Sequence, residues 1–356
     1  GKGKEMHIRF DAMMSHDITY VGIIQTARAS GLTKFPLPYA MTNCHNSLCA
    51  VGGTINEDDH VFGLSAAKKY GGIYVPANQA VIHQYAREEM VKCGNMILGS
   101  DSHTRYGSLG NMGVGEGGGE LVKQLLQNTW DINAPEVVLV WLEGTPRHGI
   151  GPHDVAISLV KAVFESGFVK NKVLEFAGPG VASLSVDFRN GIDVMTTETT
   201  CLSSIWITDD KVREHYELHR RPECYKELRP GKVAYYDSMV RIDLSKQESM
   251  IALPYHPSNA VSIHELQADP EGVLRRVEED TKRRFGSKGH PDLMSKIRNG
   301  KVYADQGIIA GCSGGTYENL CEAAAILRGK SVGNDYFTCS AYPQSSPVYI
   351  AANRAG

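Results

Sequence analysis

The chain has 356 residues, of which 42% are hydrophobic and 22% charged, as in a globular protein with two or three domains and a sizeable core. Its formal net charge of −3 excludes a strong global field that would make nucleic acid or an anionic membrane the default partner. No apolar run approaches the roughly 20 residues that cross a bilayer, no secretory signal is present, and the eight cysteines lack framework spacing, so we expect a cytoplasmic protein with reduced thiols and no membrane partner.

Helical and strand patterns alternate through the first half of the chain. Apolar residues at helical spacing predict helices at 19–29 and 80–91, and short apolar runs predict buried strands at 73–75, 96–98 and 137–142. Such alternation is typical of an α/β protein with a mostly parallel sheet.

The second half predicts a helix at 152–167, a strand at 173–176, a turn at 178–180, a charged helix at 271–284, a strand at 302–310 and a helix at 317–327. We therefore divide the chain into three regions. Residues 1–210 form an α/β region of two domains with a boundary near 130–150, residues 211–232 are a polar connector, and residues 233–356 begin a third α/β domain that we expect to be incomplete.

A glycine-rich run at 113–119 contains a GxGxxG pattern. A dinucleotide site needs a strand that ends at the first glycine, whereas the preceding predicted strand ends near residue 98 and the next helix begins near residue 120. The glycines are better explained as positions where the backbone passes close to the turn at 101–103.

That turn brings Asp101, Ser102 and His103 together directly after a predicted strand. A carboxylate near an imidazole can orient it and tune its pKa for proton transfer, although an N-terminal helix cap is an equally good explanation. His83 shares a helical face with Arg87 and, taken alone, is more often a structural histidine than a functional one.

Cys312 stands between a predicted strand and a helix. A thiolate at a helix N-terminus is stabilised there, which suits a nucleophile or a metal ligand. The residues leave both uses open, because a nucleophile needs a nearby base and an iron–sulfur site needs more cysteines, and the chain contains no CxxC.

Together these motifs resemble the aconitase family of iron–sulfur hydro-lyases, and most closely a bacterial branch of aconitase-like hydratases. The match follows chain order: HDIT at 16–19, NCH at 43–45, VIHQ at 81–84, GSDSHT at 99–104, the glycine run, GPG at 178–180, GC at 311–312 and YE at 317–318. The resemblance covers the N-terminal portion of the family pattern. It implies aconitase-like three-layer domains with mostly parallel sheets.

The resemblance also implies a [4Fe–4S] cluster that acts on a hydroxy carboxylic acid. Cys312 matches the first of three cluster cysteines, and the other two would follow residue 356. We therefore expect the cluster in the complete protein and not in this chain alone, further C-terminal domains in the same or another chain, and no activity from this portion by itself.

The resemblance assigns roles to several side chains. His45 matches an acid-side histidine, His83 and His103 match imidazoles that handle the hydroxyl group, and Asp101 matches the carboxylate that orients His83. Ser102 and His16 match positions near the substrate. For the acid that supports His103, the family spacing favours Glu198 over Asp193. Cys44 stands where the family usually has a carboxylate before the acid-side histidine, so a substrate other than citrate or isocitrate is expected.

Two alternatives belong to other functional classes. A cluster-free relative could serve as a binding or regulatory module, for example for RNA, but the balanced charge and the lack of interleaved aromatic and basic residues count against nucleic acid as a partner. A thiol hydrolase built on Cys312 is a weaker alternative.

Overall fold

The structure is a computed structural model that describes residues 2–44, 54–333 and 337–356. Its strands are β1 (Glu5–Ile8), β2 (Ala12–His16), β3 (Tyr39–Thr42), β4 (Ile73–Val75), β5 (Met96–Gly99), β6 (Met112–Gly115), β7 (Trp130–Asn133), β8 (Val137–Glu143), β9 (Val173–Ala177), β10 (Ser203–Trp206), β11 (Ser238–Asp243), β12 (Met250–Ala252), β13 (Ala260–Ser262), β14 (Ile297–Arg298), β15 (Lys301–Val302), β16 (Gln306–Ile309) and β17 (Thr338–Ala341). Its helices are α1 (Tyr20–Ala29), α2 (Thr54–Tyr70), α3 (Ile82–Tyr85), α4 (Gly118–Leu125), α5 (Pro152–Val163), α6 (Val186–Met195), α7 (Asp210–Leu218), α8 (Ile263–Ala268), α9 (Pro270–Phe285), α10 (Gly311–Gly314), α11 (Tyr317–Leu327) and α12 (Ser346–Ala355).

A five-stranded parallel sheet forms the first domain, with strand order β4-β3-β2-β5-β6. The central strand β2 is buried along its whole length, and its alternating side chains enter two different cores, Met13 on one face and Met14 on the other. Because the chain winds outward from β2 first through β3 and later through β5, the strand order reverses between β2 and β5. Ligands of such α/β sheets bind at the carboxyl ends of the strands beside this reversal.

Helices cover both faces of this sheet, which gives the predicted α/β three-layer arrangement. Helices α1, α2 and α4 pack on one face, and α3 and α7 pack on the other. Helix α7 lies in the region 211–232 that we predicted as a connector. The packing of this helix on the sheet is not evident from the sequence, because only Val212 and Tyr216, one turn apart, are buried, whereas most of the other side chains of the helix are charged.

A second parallel sheet has the order β10-β9-β8-β11 and a core of its own. Helices α5 and α6 supply Val155 and Ile192 to that core, and Phe176 stacks on Trp206 with ring centroids 4.1 Å apart. Strand β11 pairs in register with β8. The second sheet thus extends to residue 243, beyond the predicted start of the third domain at residue 233.

The elements after the second sheet form small strand pairs with their own helices. The antiparallel pair β12 and β13 packs with α8 and α9. In the parallel pair, β16 precedes α10 and α11, and β17 lies between α11 and α12 in the chain. Helix 317–327 is confirmed, and helix 271–284 is confirmed with one more residue at each end. The single strand predicted at 302–310 is wrong: it is divided between β15 and β16, which pair with different partners.

The helix predicted at 80–91 changes its hydrogen-bonding pattern midway. Residues Ile82–Tyr85 are α-helical, and Ala86–Met90 form a π-helical turn. Such turns widen the helix locally and are frequent at functional sites. Among the described residues, none of the helices has the length and apolar character needed to cross a membrane.

The glycine run at 113–119 allows the close approach that the sequence predicted. A Cβ atom at Gly115 would lie 2.4 Å from the carbonyl oxygen of Asp101, and one at Gly113 would lie 2.9 Å from the carbonyl oxygen of Thr104. Strand β6 can therefore pass beside the Asp101 turn only because these residues have no side chain. The strand and helix that flank the run differ from those expected, because β6 ends within it at Gly115 and α4 begins within it at Gly118.

We expect Gly115→Ala to lower the midpoint of thermal unfolding and to reduce the free energy of unfolding by about 1–3 kcal/mol, because backbone atoms of Asp101 must move to accept the methyl group. Gly119→Ala is the matched control. It lies in α4 with no atom within 4 Å of the new Cβ, so it should leave stability unchanged or raise it by about 0.5–1 kcal/mol. Equal midpoints for the two variants would contradict the close approach.

Candidate active site

The predicted site residues converge at the carboxyl ends of β2, β4 and β5, beside the reversal of strand order. Asp101 lies at the centre, in the turn after β5. Its Oδ1 accepts hydrogen bonds from His83 Nε2 at 2.9 Å and from the backbone N–H of His103 at 2.8 Å, and its Oδ2 lies 3.7 Å from His16 Nε2. The turn is therefore more than a helix cap, because one carboxylate is shared by three histidines.

His83 is a fully enclosed imidazole. Burial lowers the pKa of His83 to about 4, although the hydrogen bond to Asp101 acts in the opposite direction. The ring is consequently neutral at pH 7. Since Nε2 faces the Asp101 carboxylate, that nitrogen carries the proton, and Nδ1 is left to accept from the Tyr106 hydroxyl 3.1 Å away.

His103 has the opposite electrostatics. Its Nε2 donates to Glu198 Oε1 at 3.0 Å, and its Nδ1 lies 3.7 Å from Asp101 Oδ1 and 3.3 Å from Ser102 Oγ. The nearby carboxylates of Asp101 and then Glu198 raise the pKa of His103 to about 9 against the cost of burial. The ring is thus an imidazolium at neutral pH, and its side chain is 30% exposed, so a small ligand can reach it.

Glu198 comes from the second domain, in the 3-10 turn Thr196–Thr199 that follows α6. The hydrogen bond from His103 lowers the pKa of Glu198 despite partial burial, so the carboxylate is ionised. The alternative, Asp193, is fully buried and accepts from Ser204 Oγ at 2.6 Å and Trp206 Nε1 at 2.8 Å. The structure thus brings Glu198 to His103 and gives Asp193 a structural place inside the second domain.

Of the remaining predicted site residues, the structure describes His16 and Ser102 but not His45. His16 is buried beside Asp101, and Ser102 is exposed, with its carbonyl oxygen accepting from Thr197 Oγ1 at 2.7 Å. That bond ties the turn directly to the second domain. His45 lies outside the described residues, and its neighbour Cys44 has its sulfur 3.5 Å from Thr42 Oγ1.

Cys312 lies in the short helix α10. Burial raises the pKa of its thiol, and the charge of Arg87 only partly offsets this. The prediction that a helix start would stabilise the thiolate is therefore wrong, because α10 has only four residues and the thiol is largely enclosed. The charge of Asp101 also raises the pKa of this thiol.

Arg87 is a functional candidate to which the sequence analysis assigned no role. Its guanidinium is fully buried, and its Nη1 donates to the carbonyl oxygen of Cys312 at 3.2 Å. Its Nε and Nη2 have no acceptor within the part of the chain that the structure describes. A buried cation with unused donors favours an anionic group beside Cys312. The helical spacing of residues 83 and 87 was the available signal.

A metal site is not complete among the described residues, where no group of three or more His, Cys, Asp or Glu side chains is arranged to hold an ion. Cys312 offers one thiol in a setting made electropositive by Arg87. Cys312 and Arg87 therefore fit one corner of a thiolate-ligated anionic cluster.

Comparisons with known proteins give the family that the chain matches. A sequence model of the aconitase family (aconitate hydratase) matches residues 1–356. The mitochondrial aconitate hydratase of Aspergillus fumigatus is 27% identical over 345 residues, which cover 92% of this chain and 40% of that protein. The 3-isopropylmalate dehydratase large subunit of Elusimicrobium minutum is 26% identical over 292 residues, which cover 82% of this chain and 61% of that protein. The chain spans about two fifths of the first relative and three fifths of the second.

We predict that NMR titration of the 15N-labelled imidazoles will give His103 a pKa of about 9, and that Glu198→Gln will lower it because one of the two flanking carboxylates is lost. The folded pKa lies above the unfolded value of 6.5, so the pair stabilises the fold fully below pH 6.5, and this contribution is lost as the pH rises through 9. The control is Glu57→Gln on the exposed face of α2, which should leave the His103 titration unchanged. A His103 pKa near 6.5 in the unsubstituted chain would contradict the charge assignment.

Proposed function

Because the chain belongs to the aconitase family, we propose that it forms part of a hydro-lyase that adds water to, or removes water from, a small hydroxy carboxylic acid. The observation that carries this proposal is the placing of two imidazoles around Asp101: His83 is enclosed, which lowers its pKa, and His103 also contacts Glu198, which helps to raise its pKa. Two titratable groups whose pKa values are pushed apart are the usual arrangement for acid and base roles. The names of the relatives, aconitate hydratase and 3-isopropylmalate dehydratase, support the same reaction class.

In this proposal His103 is the proton donor to the departing hydroxyl group. Loss of water requires a proton on that oxygen, and an imidazolium held between Asp101 and Glu198 carries one at neutral pH. In the reverse direction the same ring takes the proton back from water. The two carboxylates would keep the charge on His103 and fix the direction of its ring.

His83 would act on the hydroxyl or water as a neutral imidazole, through Nδ1 once its contact with the Tyr106 hydroxyl is exchanged for the ligand. Its Nε2–H is used by Asp101, so Asp101 would orient the ring and set its tautomer. Ser102, which is exposed beside His103, and His16, which faces the other Asp101 oxygen, are proposed substrate contacts. His45 is proposed as the acid-side imidazole.

We propose that a [4Fe–4S] cluster belongs to this site in the complete protein. When bound, it supplies a Lewis-acidic iron that polarises the substrate hydroxyl and carboxylate. Cys312 would hold one of its irons, and Arg87 would fix the backbone beside that ligand. The further ligands would come from another part of the protein or from a second chain, for which the name "large subunit" of one group of relatives is a precedent.

A reducing compartment suits this cofactor. We therefore propose a cytoplasmic location, where the environment keeps cysteine thiols reduced.

The first test uses the full-length protein encoded by the complete gene. His103→Ala should lower turnover by about 10²–10⁴-fold, the usual contribution of a general acid, while the visible absorption of the cluster is kept. His264→Ala, on the exposed surface of α8, is the matched control and should keep full turnover. Unchanged turnover in His103→Ala would remove the proposed role.

The second test uses residues 1–356 alone. Purified without oxygen and with iron and sulfide supplied, this chain should retain no stable cluster, because one thiolate cannot hold a cubane. Iron and acid-labile sulfide analysis measures this, with Cys312→Ser as the control. Stoichiometric iron that disappears in Cys312→Ser would show that the chain supplies the other ligands itself.

A further inference from the structure

Glu198 has a second contact that the sequence motifs did not indicate. Its Oε1 binds His103, and its Oε2 lies 3.8 Å from Nε2 of His256. His256 belongs to the loop between β12 and β13, about sixty residues further along the chain and outside the first two sheets. The distance is too long for a hydrogen bond and short enough for a direct electrostatic contact.

The orientation of His256 is fixed from two other directions. The backbone N–H of Ser258 donates to His256 Nδ1 at 3.1 Å, and the Ser258 hydroxyl lies 2.9 Å from the same nitrogen. The imidazole also stacks on Phe164, with ring centroids 3.8 Å apart and planes inclined by 25°. Three contacts, from the chain's own loop and from the end of α5, therefore hold a ring whose side chain is one third exposed.

These contacts determine which nitrogen carries the proton. Because Nδ1 accepts a hydrogen bond from a backbone N–H, its lone pair is in use and the proton of a neutral ring must lie on Nε2. That nitrogen is the one that faces Glu198. An N–H dipole directed at Oε2 favours the ionised carboxylate and opposes its rotation toward solvent.

We propose that His256 is a positioning residue that holds Glu198 against His103. It touches neither the reacting atoms nor His103, and acts through the Glu198 carboxylate alone. The catalytic consequence rests on the proposed hydro-lyase function, whereas the structural consequence for His103 does not. Successive contacts then connect the first sheet, the second domain and the β12–β13 loop through Asp101, His103, Glu198 and His256.

The first experiment measures His103 in residues 1–356 by 15N imidazole NMR, comparing His256→Leu with His256→Gln. Leu fills similar space without a donor, and the Gln amide can still donate to Glu198. We expect Leu to lower the His103 pKa and weaken its Nε2–H signal, and Gln to restore much of both. Because the His256 side chain is 33% exposed, neither variant leaves a closed cavity, and thermal unfolding checks that both fold.

A purely structural role predicts a different result. In that case His256→Leu would lower the unfolding midpoint and leave the His103 signals as they are, which overturns the proposal. Ser258→Ala is the control for the loop, since it keeps the backbone N–H that sets the His256 tautomer and should leave His103 unchanged.

The second experiment measures turnover in the full-length protein. His256→Leu should lower kcat by about tenfold, a part of the general-acid contribution, with KM unchanged, and His256→Gln should recover most of it. An unchanged kcat in Leu counts against the proposal. If the unsubstituted protein has no hydro-lyase activity, the proposed function fails, and the NMR comparison still decides whether His256 positions Glu198.

Discussion

The site depends on one constraint, which is that a single carboxylate, Asp101, must serve several donors at the end of β5. Its Oδ1 accepts from the ring of His83 and from the backbone of His103, and His16 approaches its other oxygen. This requires strand β6 to pass within contact distance of the Asp101 backbone, which the missing side chain of Gly115 permits. The carboxylate then produces two different imidazoles. Burial lowers the pKa of the enclosed His83 ring, whereas a second carboxylate helps to raise the pKa of the His103 ring.

The second carboxylate makes the site a property of several parts of the chain. Glu198 and Thr197 bring the second domain onto the Asp101 turn, one through the His103 ring and the other through the Ser102 carbonyl. The region around α10 joins from a third direction, where Arg87 binds the Cys312 carbonyl. In the same region, the Ser345 hydroxyl donates to the buried carboxylate of Glu88 at 2.7 Å. Hydrogen bonds between distant parts of the chain therefore bring Glu198 to His103 and hold the Cys312 backbone against Arg87.

Much of the fold could be predicted from local pattern, and the exceptions share a cause. Helix α11 was predicted to the residue, and β4, β5 and β8 were found within a residue or two, because each is a continuous apolar or amphipathic run. The sequence does not reveal helix α7 within the predicted connector, because the helix buries only two apolar side chains. Which face of a charged helix is covered depends on the neighbour that packs against it. The π-helical turn after Tyr85 and the divided strand near residue 302 likewise follow from partners that are distant in sequence.

By itself the sequence determined the chemistry available at the strand ends: the Asp101 to His103 turn, His83, the glycines that let the backbone pass, and a cysteine before a helix. These depend on residue type and on short spacing, which the chain displays directly. Only the tertiary structure decided which acid supports His103, which imidazole is charged, that the Cys312 thiol is too enclosed to ionise easily, and that Arg87 and His256 belong to the same region. The reason is that charge state and orientation depend on burial and on groups that lie tens to hundreds of residues away, and neither is written in local sequence.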